Sequence, residues 1–192
     1  IYVAANDGML HGFSSETAAE TGQPAPGQET FAYLPSAVIQ GNLKNLGNPT
    51  YGSGVAHEFF NDGELTIADV YLNGLDGCTG SSCWRTVLIG TTGRGLSKAI
   101  YALDVTDPAN VKLLWERSAG DSTDIGQIAG KPVIAQTADG VWSVLVGNGY
   151  NSADNKPALL QVNVRTGALT VYETTGSATN DGLAQPAVWI GN

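Results

Sequence analysis

Strand-like runs rich in apolar residues, broken by glycine-rich polar turns, follow one another along this chain in a set of four that occurs twice. The first set covers residues 65–71, 84–90, 99–105 and 113–116; the second covers 130–135, 142–147, 158–164 and 169–172. Gly90 and Gly147 stand 57 residues apart, and Asp104 and Asn163 stand 59 apart. Self-similarity at a nearly fixed period, with four short runs per unit, predicts the four-stranded antiparallel blades of an all-β propeller.

The chain ends extend the pattern. Residues 1–5 lead through Asn6-Asp7-Gly8, a hairpin-turn sequence, into 9–13, and a glycine- and proline-rich stretch then precedes 29–34. These match the second, third and fourth strands of a blade. Residues 183–189 match a first strand, with Pro186 lying 54 residues beyond its counterpart Pro132. The 183–189 run is a candidate partner for the opening three strands. A propeller needs about four or more blades to close. The expectation is therefore an incomplete β-propeller of quinoprotein-like type, with two full blades and parts of others. Residues 1–192 form one such domain or a fragment of one, with 35–62 as an insert before the first full blade. Within the insert, a short helix is expected over 36–46, capped by Ser36 and stopped by Gly47.

Composition narrows the function. Of 192 residues, 42% are hydrophobic and only 14% charged, with 25 glycines, which suits short strands and tight turns. The balance of 9 basic to 18 acidic residues gives a net charge of −9. Such a chain, with no basic run, is repelled by phosphate backbones and by anionic membrane surfaces. No run approaches the ~20 apolar residues of a membrane span. No charged-then-apolar leader opens the sequence, so a signal peptide is expected to be absent or already removed. Cys78 and Cys83 share one polar loop. They are either two free thiols or a local disulfide; their proximity favours the disulfide, and with it a compartment outside the cytoplasm.

No catalytic constellation stands out. His11 and His57 are 46 residues apart, and no Gly-x-Ser-x-Gly elbow is present. The glycines of 90–95 follow a strand and read as a blade turn. Three acidic groups are calcium candidates: Asp62 and Glu64 with Asp69; Asp121 with Asp124; and Asp154 with Asn155. None has the compact spacing of a calcium loop, so they read first as turn caps; Asp154 and Asn155 remain the weak metal candidates. Trp84 and Trp142, at matching places in the two units, are expected in the core.

Several segments taken together resemble the C-terminal propeller of the PilY/PilC family. They are Ile1-Tyr2-Val3-Ala4-Ala5-Asn6-Asp7-Gly8-Met9-Leu10-His11-Gly12-Phe13, then 31–38, His57-Glu58-Phe59-Phe60-Asn61-Asp62-Gly63, Ala102-Leu103-Asp104-Val105-Thr106-Asp107-Pro108 and Gly147-Asn148-Gly149-Tyr150-Asn151-Ser152. The resemblance implies a type IV pilus tip-associated protein of Gram-negative bacteria. It implies export to the periplasm, outer-membrane surface and pilus tip, with minor pilins and a host or abiotic surface receptor as partners. It further implies a role in pilus assembly, retraction control and adhesion. The family's usual calcium loop falls near Leu183, and residues 185–192 show no acidic cluster. Calcium is thus a family trait without a loop here, and no other cofactor is expected.

The competing reading is a quinoprotein-like periplasmic dehydrogenase, since 9–13 and 164–167 echo the repeats of quinone-binding propellers. The cysteine spacing speaks against it, because many such enzymes use adjacent cysteines near the cofactor. A purely structural propeller scaffold is the third reading.

Overall fold

In the computed structural model, residues 1–17, 20–175 and 181–189 are described. The eleven described strands form three antiparallel sheets. β1 (Tyr2–Ala4), β2 (Leu10–Phe13) and β3 (Glu29–Tyr33) make the first. β4 (Leu65–Tyr71), β5 (Trp84–Thr91), β6 (Ala99–Asp104) and β7 (Lys112–Ser118) make the second. β8 (Val133–Gln136), β9 (Trp142–Gly147), β10 (Ala158–Asn163) and β11 (Leu169–Glu173) make the third. Each sheet is a meander in chain order, and the two four-stranded sheets coincide with the two repeats. The fold is an all-β propeller arrangement of blades.

The period-2 geometry of strands decides the packing. The middle sheet is buried on both faces, so its central strands read as unbroken apolar runs. From β5 and β6, Val87, Ile89, Ile100 and Ala102 face the third sheet and pack with Val144, Val146, Leu160 and Val162. The alternate residues Leu88, Tyr101 and Leu103 face the first sheet and join Leu10, with Phe31 and Tyr33 alongside. A one-residue slip of β5 would exchange the two cores, so the register is strongly specified.

Turns repeat with the strands. Asp104 Oδ1 accepts the Thr106 amide at 3.0 Å, and Asn163 Oδ1 accepts the amides of Arg165 and Thr166 at 2.9 and 3.0 Å. This is side-chain turn capping at the position marked by the 59-residue spacing. Asp104 is also held by Arg85 Nε at 3.1 Å.

Three local expectations differ from the structure. The helix predicted over 36–46 is broken: α1 spans Ser36–Gln40 and a 3-10 helix spans Leu43–Gly47, with Pro35 rather than Ser36 at the N-cap. The break falls at Gly41, where an added Cβ would lie 2.0 Å from Ser97 Oγ, so close approach of the neighbouring loop sets the bend. Trp84 is not core: it is 50% exposed, its ring 5.6 Å from Tyr71 and 6.5 Å from Trp142. It opens β5, where the strand projects past the sheets that cover its centre. Residues 183–189 form no strand ladder and do not pair with β1. They instead leave along the end of β9, where the Gly149 amide donates to Leu183 O at 3.1 Å.

That crossing depends on Gly147. A Cβ there would meet Ala184 O at 2.1 Å and Leu183 O at 2.4 Å, both backbone atoms that cannot swing away. Gly147→Ala is expected to destabilise the chain by about 1–3 kcal/mol in urea unfolding, the range for forcing atoms into a filled site. Gly47→Ala, with open space around the new methyl, is expected to be near neutral. Equal effects would contradict the packing.

Candidate functional site

Two carboxylates fix the segment between β3 and β4. Glu116 in β7 accepts the amides of Ser36 and Ala37 at 2.9 and 2.8 Å, Ser36 Oγ–H at 2.7 Å and Tyr33 O–H at 2.7 Å. The first amides of any helix lack partners within it, and α1 has no capping side chain of its own. Glu116 supplies the acceptor from the next blade. Burial, and then the hydrogen bond to Glu116, pushes the Tyr33 phenol well above its ordinary pKa.

Glu58 does the same further along. Its carboxylate accepts Nδ2 of Asn42 at 2.7 Å and of Asn45 at 3.0 and 3.1 Å, so it ties down the 3-10 helix. Its backbone is held by Tyr51 Oη and by Asn6 Nδ2, which donates to Glu58 O at 3.0 Å. The segment thus sits rigidly on the propeller. It presents Ile39, 56% exposed, and Leu46, with the 60% exposed Leu96 of the β5–β6 turn nearby in the fold, where Ser97 Oγ bonds Asn42 Oδ1 at 3.0 Å.

The acidic candidates divide. Asp62 takes the Arg94 amide at 2.8 Å and Arg94 Nε at 3.0 Å, while the guanidinium lies 4.2 Å over the Phe59 ring. Asp69 accepts Thr86 Oγ1–H at 2.7 Å, and Asp121 accepts the Ser118 amide at 2.7 Å. Glu64 does not join a cluster with either. These are local caps and pairs. Asp154 is different: it meets Asp124 and Glu173, with one oxygen of each within 4.8 Å of the others. Asn155, the neighbour suggested by sequence, turns its amide back to Ala153 O at 3.4 Å. The sequence reading missed Glu173, because no local spacing relates the end of β11 to the β9–β10 loop.

Cys78 and Cys83 are joined in a disulfide, their Cα atoms 5.2 Å apart. His57 Nε2 lies 3.0 Å from Asn6 Nδ2. His11 is bridged by Glu29 at 2.8 Å and Asp7 at 3.0 Å, which staples the β1–β2 turn to β3. Glu29 first, and then Asp7, raise the His11 pKa, with partial desolvation opposing them.

A raised pKa means that the folded chain holds the proton more tightly than the unfolded one. The stability from His11 is therefore full below its unfolded pKa of about 6.5 and is lost as pH rises through the higher folded value. Thermal unfolding from pH 6 to 8.5 is expected to show a steeper fall in Tm for the native chain than for His11→Gln. Parallel curves would contradict the staple.

Known proteins bear directly on this arrangement. The sequence model of the PilY1 beta-propeller domain matches residues 1–190. A type IV pilus biogenesis factor PilY1 homolog of Xylella fastidiosa is 41% identical over 189 residues, covering 98% of this chain. The type IV pilus biogenesis factor PilY1 of Pseudomonas aeruginosa is 43% identical over 188 residues, covering 97%. The chain spans only 14% of the length of each. The crystal structure of the Pseudomonas aeruginosa PilY1 C-terminal domain matches with a TM-score of 0.72 and 38% identity, over 99% of this chain and 33% of that one. With the sheets, the repeat and nearly every residue accounted for, this chain belongs to the PilY1 β-propeller domain family.

Proposed function

We propose that this chain is the propeller part of an exported type IV pilus tip-associated protein that works by binding rather than catalysis. In this reading it contributes to pilus assembly, retraction control and surface adhesion. Minor pilins and a host or abiotic receptor are its partners, and the periplasm, outer-membrane surface and pilus tip are its locations. The insert of residues 35–62, on the single domain or domain fragment 1–192, is the contact surface.

The observation that carries the proposal is the insert itself. A segment held by two carboxylates from its own flank and from the next blade keeps Ile39 and Leu46 in solvent. Exposed apolar side chains on a rigid loop are a common form of recognition surface. The relatives' names as pilus biogenesis factors and the Cys78–Cys83 disulfide, which suits an oxidising compartment, support the setting.

The double variant Ile39→Asp, Leu46→Asp should fold with unchanged circular dichroism and lose at least tenfold affinity for purified minor pilins. In cells carrying it in the parent protein, piliation or twitching should fall. Undiminished pilin binding together with normal piliation, twitching and attachment would refute the assignment.

A further inference from the structure

We propose that Asp124, Asp154 and Glu173, together with the hydroxyl of Ser152, form a calcium site where the incoming crossing of the third sheet meets the β9–β10 loop. The proposal is independent of the pilus role, since it rests on the chemistry of one loop pair.

The carboxylates come from three separate parts of the chain. Asp124 lies in the crossing between β7 and β8, Asp154 in the loop between β9 and β10, and Glu173 at the end of β11. The Asp154 amide donates to Thr123 O at 3.1 Å, which lays the loop along the crossing. The Asn155 amide closes the 152–155 turn on Ser152 O at 3.2 Å. Asn148 fixes both sides, donating to Asp124 O at 3.1 Å and to Lys156 O at 2.8 Å.

The second observation concerns hydrogen bonding rather than the grouping of the carboxylates. Two buried side-chain oxygens lack a hydrogen-bond partner among the described residues, Asp124 Oδ1 and Ser152 Oγ. Ser152 is 2% exposed. Both orphans fall in the two segments that carry Asp124 and Asp154. A buried acceptor left unpaired costs about 1–3 kcal/mol, more when charged, and a bound ion is a recognised way to satisfy it.

Charge and geometry select the ion. Three carboxylates face one ammonium: Lys156 Nζ lies 2.8 Å from Glu173 and 3.4 Å from Asp154. Asp124 Oδ2 meets only the Ser122 hydroxyl, at 2.9 Å, so the lysine leaves its charge uncompensated. All the donors are oxygens, which suit a hard cation and not zinc or copper. Calcium binds oxygens at about 2.3–2.6 Å, so ligand oxygens within 4.8 Å of one another can converge on one ion through small side-chain shifts. The partly exposed Asp154 and Glu173 leave room for the waters that would complete its shell. Magnesium demands a tighter octahedron. Lys156 then acts as the resident competitor that the ion displaces.

The test is calorimetric titration of calcium chloride into the chelator-treated 192-residue chain, with thermal unfolding in parallel. One saturable calcium event is expected, with a rise in Tm. Asp124→Asn should weaken it at least tenfold, as should Glu173→Gln, whose more exposed side chain spares the fold. Lys156→Met should tighten it several-fold, which no purely structural role of the acids would produce. Absence of calcium binding, binding unaltered in both acid variants, or tighter binding of magnesium would each overturn the proposal.

Discussion

A single buried amide joins three passes of the chain. Asn148, fully buried, uses both donors and both acceptors of its side chain. Nδ2 donates to Asp124 O and Lys156 O, and Oδ1 accepts the amides of Ala158 and Leu183 at 3.0 Å each. It thereby ties the crossing into its sheet, the β9–β10 turn and the crossing that leaves. Buried polar groups are stabilising only when satisfied, and a missing partner costs more than the bond contributes. The same role recurs between the other blades with different chemistry. Asn6 takes the Phe60 amide at 3.1 Å and donates to Glu58 O, while Thr91 Oγ1 donates to Ile128 O at 2.9 Å. The blades are individually ordinary meanders, and these side chains set how one follows the next.

Glycine makes the clamps possible. A side chain at Gly147 would strike the crossing backbone at Leu183 and Ala184, and one at Gly63 would strike the backbone of Thr91 in β5. Chain crossings at such close range leave little freedom for the loops above. That rigidity carries both functional proposals. Glu116 holds the insert against the second sheet, Asn6 ties the Glu58 backbone to the β1–β2 turn, and the Glu58 carboxylate braces the insert internally. The acidic cluster is held in the third sheet by Asn148, whose two donor bonds set the spacing between Asp124 and the Asp154 loop.

How much of this was legible in the sequence follows from the range of each interaction. The repeated apolar runs between glycine-rich turns mark β4–β6 and β9–β11 within a residue or two, because burial on one or both faces is written into each strand. The hairpin at Asn6-Asp7-Gly8 is local and plain in sequence, and the Cys78–Cys83 disulfide is the favoured of two local readings. Glu116 was hidden, although it left a trace: it breaks the repeat, standing where the second unit has Tyr172. Glu58 and Glu173 left none, since no local spacing relates Glu58 to Asn42 and Asn45, or Glu173 to Asp124 and Asp154. Trp84 was misplaced because a repeat marks equivalent positions without revealing which of them a neighbour covers. The helix over 36–46 was read too long for a similar reason, its break being imposed by Ser97 from another loop.

The central claim is that blade succession rests on local side-chain clamps, and native-state hydrogen exchange on Asn148→Ala tests it most directly. The account predicts that the amides of Ala158 and Leu183 lose protection at least tenfold more than those of Ile89 and Ile100 in the middle sheet. Unchanged protection at Ala158 and Leu183, or an equal loss across all three sheets, would contradict it.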